Sequence, residues 1–275
     1  MQIYRPLNYI PDGKSKKDFK FNRRLFKNLS KSQLSKYFKL LPKRIDHTPN
    51  MTPVKDQGRL GSCVAFATVA LKEWQEWQEY LRLKDEKKIN ANSNRFNDLS
   101  EQWVYHKAKE IDNIEGEGTT IRAALLVLKK FGVPPEKSWT YNDRIKGAPL
   151  SNSEDLANCT RIGNFYRFQK LHHLKLALLH TPVPVGVITT ESFFRTRTGI
   201  IEDDVRHRGK HGGHAICVVG YDDNSKLVKF KNSWSDCWGD DGYGYLTYDY
   251  FKKYCMIGWA IEDIEVPNTF IENVV

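Results

Sequence analysis

From residue 63 onward the chain runs Cys63-Val64-Ala65-Phe66-Ala67, then Val69, Ala70 and Leu71, apolar on every side of a helical wheel. Trp74, Trp77 and Leu81 continue at helical spacing among Glu and Gln. This pattern predicts a helix whose first two turns are buried and whose far end reaches the surface. Asp98-Leu99-Ser100-Glu101 has the form of a cap and predicts a second helix running through Lys109. Ile121, Ala124, Leu125, Leu128 and Phe131 make a third helical stripe, stopped by Gly132 and Pro134-Pro135. Trp74, Trp77 and Trp103 read as core. Ser30-Lys31-Ser32-Gln33 resembles a capping box, and Leu34, Tyr37, Phe38 and Leu41 follow it, which predicts a short amphipathic helix ending at Pro42.

After about residue 160 the texture changes. Residues 183–189, 215–221, 227–231 and 243–248 are rich in β-branched and aromatic side chains, with Gly and Asp-Asn clusters between them. Helices first and strands afterwards predict an α+β chain with two lobes of different character. Asp222-Asp223-Asn224-Ser225 is a strong turn signal. Pairing Tyr221 with Lys226 across it sets Ala215 opposite Asn232 and His214 opposite Ser233. His214 and Asn232 then lie one residue short of direct cross-strand contact, and a bulge would bring them together. His172-His173 and the acidic run 202–204 read as solvated loop features.

Of the 275 residues 40% are hydrophobic and 28% charged, which excludes a mostly disordered chain. No apolar run approaches the ~18 residues of a spanning helix. The net charge of +10 changes meaning once it is divided along the chain. Residues 1–44 hold 13 Lys and Arg against two Asp, so the remaining 231 residues are close to neutral. A nucleic-acid-binding surface on the body is thereby excluded, and an acidic partner is expected only for residues 14–44. The opening Met1-Gln2-Ile3-Tyr4-Arg5 has no apolar core and no small-residue cleavage site, so the expected location is the cytoplasm. Five cysteines without a Cys-x-x-Cys pair or zinc-type His spacing imply no metal or other cofactor. Cys159, Cys217, Cys237 and Cys255 are read as free thiols.

The candidate chemistry begins with Gln57-Gly58-Arg59-Leu60-Gly61-Ser62-Cys63. It places a thiol at the N-terminus of the buried helix, where unpaired N–H groups and the helix dipole favour a thiolate. Glycines there let a substrate backbone approach, and Gln57 can offer its amide to an oxyanion beside the Cys63 N–H.

The run Pro53-Val54-Lys55-Asp56-Gln57-Gly58 through Gly61-Ser62-Cys63 with Ala65-Phe66 resembles the nucleophile motif of papain-like cysteine peptidases. Three later stretches match the same family in order. These are Leu99-Ser100-Glu101-Gln102, Gly213-His214-Ala215 with Val219-Gly220-Tyr221, and Lys231-Asn232-Ser233-Trp234 with Trp238-Gly239 and Gly242-Tyr243. The match covers roughly residues 41 to 262. Cys63 precedes His214 by 151 residues and Asn232 by 169, close to the ~130–150 usual in such enzymes.

The resemblance implies a two-lobed fold with the cleft between the lobes: a helical lobe over residues 41–165 and a β-rich, barrel-like lobe over 166–275. It implies Cys63 as nucleophile, His214 as acid and base, Asn232 as its orienter, Gln57 in the oxyanion hole and Trp234 shielding the His–Asn bond. Gly118 is implied in the non-primed subsites, Gly186 in the main specificity pocket and Gly213 beside the histidine. The function so implied is a thiol endopeptidase acting on peptide or protein substrates. Two rivals are a transglutaminase-type acyltransferase, against which Asn232 and Gln57 argue, and a non-catalytic binding protein on the same fold with a basic, anion-binding N-terminus.

Three departures point to the disulfide-poor microbial branch of the family. Leu60 stands where a second cysteine is usual, Val64 replaces a Trp, and Thr119 follows Gly118 where a Gly-Gly pair is common. In that branch Tyr9-Ile10-Pro11-Asp12 with Asp18-Phe19 also has counterparts. Residues 1–40, a basic extension, are expected to lie over or near the cleft and limit access, as a zymogen's prosegment does; the competing reading is a solvated basic tail with an anionic partner.

Overall fold

The structure, a computed structural model, describes residues 6–16, 18–21, 38–86, 98–144, 147–203 and 210–263, without the side chains of Lys20, Lys210 and Asp263. The helix expected from Ser30 falls mostly outside these residues. Among the described residues the α-helices are α1 Cys63–Asp85, α2 Glu101–Asp112, α3 Ile121–Lys130, α4 Ser153–Ala157, α5 Leu171–Ala177, α6 Glu191–Arg195 and α7 Tyr248–Tyr254. The strands among them are β1 Phe19–Lys20, β2 Arg44–Asp46, β3 Ile162–Phe168, β4 Val183–Thr190, β5 Ile200–Ile201, β6 Lys210–Asp222, β7 Leu227–Lys231, β8 Tyr243–Thr247 and β9 Cys255–Asp263.

The first half is helical because its apolar stripes are long and capped. Ser100 Oγ accepts from Trp103 N at 3.1 Å and Thr120 Oγ1 from Ala123 N at 3.1 Å, closing the starts of α2 and α3. Helix α1 is buried on all sides from Cys63 through Gln75. The strands join in one sheet ordered β1-β3-β9-β4-β6-β7-β8-β5, with β2 also paired to β6, an open path rather than a closed barrel.

Strand β6 divides two cores. Ala215, Cys217 and Val219 pack with the apolar faces of α1, α2 and α3, whereas Ile216 and Val218 pack with Val183, Val185, Phe230 and α7. The two-residue period of a strand assigns alternate side chains to opposite faces. Strand β8 ends one residue earlier than expected, at Thr247, whose Oγ1 accepts from Tyr250 N at 3.2 Å and starts α7.

The β6–β7 register corrects the expected one. Asp222 faces Leu227, so the turn is formed one residue further along, and the ladder shifts between Val218 and Gly220 to set Cys217 opposite Lys231. The reason lies in the turn, where Asp222 Oδ1 accepts from Asn224 N at 2.7 Å and Lys226 takes a left-handed φ of 55°. The bulge does not set His214 opposite Asn232 as expected, because Cys217 faces Lys231 beyond it, and the two residues meet through their side chains instead. His172 and His173 are not loop residues: they lie in the first turn of α5, and His173 is buried against the Phe21 ring, centroids 5.8 Å apart.

Candidate active site

A turn over residues 57–62 delivers Cys63 to the first position of α1. Buried Gln57 holds that turn: its Nε2 donates to Leu60 O at 3.0 Å and its Oε1 accepts from Ser233 Oγ at 2.7 Å. The Gln57 N–H also donates to Ser233 O at 2.9 Å, which joins the turn to the residue after Asn232. Backbone groups of Ala215, Val64, Asn8 and Cys63 itself act to lower the pKa of the thiol. Ala215 follows His214, so the β-rich lobe reaches the thiol one residue from the imidazole.

His214 is wholly buried, with Nε2 2.8 Å from Asn232 Oδ1. An amide oxygen only accepts, so Nε2 carries the proton and, in the neutral ring, Nδ1 presents a lone pair. That Nδ1 is buried and has no hydrogen-bond partner among the described residues. Such orphaned atoms are uncommon in folded proteins, and this one is the lone pair that a base requires. The Trp234 ring lies over the imidazole at 4.8 Å between centroids, tilted 30°, and Phe193 meets it edge-on at 6.4 Å. The two rings cover the His–Asn bond with apolar surface.

Burial pushes the Cys63 thiol up to about 11, against its backbone donors, and His214 down to about 4, against the Asn232 bond. Both groups are held neutral. The thiolate expected at a helix N-terminus is therefore disfavoured in this state, because complete desolvation outweighs a dipole effect on the order of 1 kcal/mol.

The N-terminal segment adds to this cover, with the Asn8 side chain packed against Gly61. Residues 7–12 run through the cleft, with Tyr9 N donating to Gly213 O and Ile10 N to Thr119 O, each at 3.1 Å. Asn8 bridges to Gly213 and Tyr9 to Thr119, both in the parallel sense. Close approach explains the glycines. A Cβ on Gly118 would stand 2.0 Å from the Asn8 carbonyl oxygen, and one on Gly186 would stand 2.2 Å from Tyr9 Cε1. A Cβ on Gly213 would come to 2.5 Å from Tyr9 O. Gly118, Gly186 and Gly213 thus line one groove that leads to Cys63. Thr119 turns its hydroxyl to Asp112 Oδ2 at 2.5 Å and leaves its carbonyl to the chain in the groove, so the missing second glycine costs nothing in pairing.

Sequence reasoning missed a buried ionic network behind the site. Lys55 Nζ is 2.9 Å from Glu73 Oε1 and 2.8 Å from Glu101 Oε1, and Lys231 Nζ donates to Thr52 O and Oγ1, each at 2.9 Å. Thr52 Oγ1 donates in turn to Glu73 Oε2 at 2.5 Å. The network ties the strand that carries Asn232 to the loop that carries Gln57. Burial raises the Glu101 carboxyl to about 8, with Lys55 opposing. The available signal was charge inside apolar runs, Glu73 within α1 and Lys231 at the end of β7. Among the described residues no group of three or more His, Cys, Asp or Glu could hold a metal, and no helix is long and apolar enough to cross a membrane.

Comparison with known proteins agrees with this geometry. Residues 41–261 match the family described as papain family cysteine protease. An uncharacterized peptidase C1-like protein of Acanthamoeba polyphaga mimivirus is 27% identical, with 98% of this chain and 92% of that protein covered. Cysteine proteinase 3 of Entamoeba histolytica is 26% identical over 80% of this chain and 67% of its own. Among solved structures, xylellain, a cysteine protease from Xylella fastidiosa, superposes with a TM-score of 0.74 at 27% identity, covering 94% of this chain and 96% of the other.

Proposed function

The chain belongs to the papain family of cysteine proteases and is a hydrolase, and on that premise we propose that it is an endopeptidase acting through Cys63, His214, Asn232 and Gln57. The observation that carries this reading is the His214–Asn232 hydrogen bond with a buried lone pair left on Nδ1. His214 Nδ1 takes the proton of the Cys63 thiol, and the sulfur forms a bond to the scissile carbonyl carbon. The carbonyl π pair moves onto oxygen, which the Cys63 N–H and the remaining N–H of the Gln57 amide receive. The intermediate collapses by breaking the C–N bond, and the imidazolium gives its proton to the leaving amine. Water, deprotonated by the same imidazole, then releases the acyl group as an acid and restores the thiol. Asn232 fixes the ring and its tautomer throughout.

Endopeptidase action is favoured because a polypeptide passes through the groove and continues at both ends. Leu7 lies against Gly212, whose Cβ position would be 3.1 Å from Leu7 Cβ, and Asp12 lies at α3. A substrate with its upstream residues on the Gly118 side runs toward Cys63 in the N-to-C direction. The N-terminal segment runs away from it, from Asn8 to Asp12. That reversal is our account of how residues 7–12 occupy the site uncut and act as an intramolecular inhibitor. The test is digestion of a mixed peptide library with cut sites read by mass spectrometry: internal cuts, abolished in Cys63→Ala and nearly so in His214→Ala, are expected. Terminal trimming only, or cutting retained by Cys63→Ala, overturns the assignment.

A further inference from the structure

The segment in the groove is held by its carboxylates. Asp12, 7% exposed, accepts from Arg122 N at 2.9 Å through Oδ1 and from Trp259 Nε1 at 3.2 Å through Oδ2, with Tyr9 OH also donating at 3.3 Å. Asp18 receives Arg122 Nε at 2.8 Å and Nη2 at 2.6 Å, and Arg167 Nη1 at 3.3 Å. The Arg122 guanidinium stands over the Trp259 ring at 5.5 Å. Apart from Tyr9 and the Ser15 N–H, which donates to Asp18 Oδ2 at 3.3 Å, every donor to these carboxylates belongs to the body of the enzyme, not to the segment.

The position of this cradle matters more than its use by the segment. Arg122 follows Thr119 by three residues, on the side of the groove that holds Gly118 and the Gly186 pocket, away from Cys63. Trp259 is wholly buried, and the partner of its indole N–H is Asp12. When the segment leaves, that N–H, the Arg122 N–H and two guanidinium groups lose their acceptors together. Buried donors left unsatisfied are costly, and an acceptor supplied by an incoming chain relieves that cost.

We propose that Arg122, Arg167 and Trp259 form a subsite that selects peptides carrying an acidic side chain upstream of the bond to be cut, about three residues beyond the one seated at Gly186. This spacing copies the separation of Asp12 from Tyr9; Asp12 itself takes the Arg122 backbone N–H and the Trp259 indole, and the Arg122 guanidinium that Asp18 occupies in the segment stands beside them over the Trp259 ring. The inference rests on the endopeptidase reading, since it needs a substrate lying in the groove with its upstream residues on the Gly118 side. It gives the cradle two successive occupants, the segment's carboxylates and then the substrate's. Arg122 and Arg167 touch neither Cys63 nor the scissile bond, so they act on selection and not on the chemical step.

Two measurements test it. In the first, the full-length protein is given two peptides in one tube, identical except for Glu or Gln at the upstream positions. The ratio of their kcat/KM values does not depend on how much enzyme is unlatched, because both peptides compete for the same open fraction. A preference for the Glu peptide of roughly tenfold at low salt is expected, falling as salt rises. It should drop to near unity in the Arg122→Gln, Arg167→Gln variant. In the second, Cys63→Ala with Asp12→Asn and Asp18→Asn, its fold checked by circular dichroism, is titrated with the same peptides carrying a fluorophore. Tighter binding of the Glu peptide, lost on adding Arg122→Gln and Arg167→Gln, supports the subsite without any hydrolysis. Equal cutting of the two peptides by the native chain, or a preference unchanged by the arginine substitutions, overturns it. Charge-dependent binding with no cutting of either peptide would instead count against the endopeptidase reading and leave the cradle standing.

Discussion

Asp12 Oδ2 accepts a hydrogen bond from Trp259 Nε1 at 3.2 Å, across 247 residues of sequence. With the Arg122 N–H on its other oxygen, this carboxylate pins the N-terminal segment to α3 and to β9 at once. Asp12→Ala would leave two buried donors without acceptors, a loss of about 1–3 kcal/mol each. The initial rate of peptide hydrolysis by the full chain should rise roughly tenfold or more, and Cys63 should become easier to label. Unchanged rate and labelling would mean that Asp12 is not the latch.

Thiol reactivity should follow cover and not helix position. In the full chain Cys63 is wholly buried, while Cys159 and Cys237 are exposed and free. Brief iodoacetamide treatment should therefore modify Cys159 and Cys237 first. In a chain lacking residues 1–40, Cys63 should become the fastest of the five, because the helix N-terminus and His214 then act on a solvated sulfur. The same deletion should raise the initial hydrolysis rate. A Cys63 that is fast in the full chain would contradict the segment's placement.

The imidazole of His214 should report the latch through its titration. Burial lowers it to about 4 from 6.5, so the ring is neutral at pH 7 in the latched form. For a depressed histidine the folded state is favoured fully above 6.5, and that contribution is lost as pH falls from 6.5 toward 4. The raised carboxyl of Asp12 works in the opposite direction, since burial favours its protonated form in place. Ring-proton NMR should show His214 titrating near 4 in the full chain and higher once the segment is displaced by Asp12→Ala. No movement between the two would separate the segment from the site's electrostatics.

A glycine substitution should divide opening from recognition. Gly186→Val forces side-chain atoms into the space of the Tyr9 ring, since even a Cβ there would meet Cε1 at 2.2 Å. The segment should release and Cys63 label faster. Hydrolysis of peptides with a large aromatic residue in that pocket should nevertheless fall, relative to those with a small one. Equal rates on both peptides would remove Gly186 from the pocket.

The buried network predicts a stability effect. Glu73 accepts from Lys55 Nζ, Thr52 Oγ1 and the Leu99 N–H, and it is 1% exposed. Glu73→Ala leaves cations buried without it, at a cost of about 3–5 kcal/mol. Urea unfolding monitored by tryptophan fluorescence should show the midpoint falling accordingly; a shift under about 1 kcal/mol would mean that water or Glu101 replaces the lost carboxylate.

Local signals were enough to find the elements and the chemistry. The starts of α2 and α3 were legible because a cap is a contact between neighbours, and β7 because a turn signal and a two-residue period bound it. Cys63, His214, Asn232 and Gln57 were legible as ordered motifs. What the sequence could not fix is set by contacts between distant segments. The register moved by a residue because a side chain at the turn competes with the backbone. The barrel-like lobe is an open sheet because β2, β3 and β9 add strands along a path that no local pattern encodes. The His172-His173 pair reads as polar in sequence, yet His173 is buried where Phe21, from far away in the chain, packs on its ring. The charge state of Cys63 and His214 was likewise decided by tertiary structure. A helix N-terminus favours a thiolate, but Asn8 and Tyr9, more than fifty residues away in sequence, exclude the water that a thiolate needs, and desolvation is the larger effect.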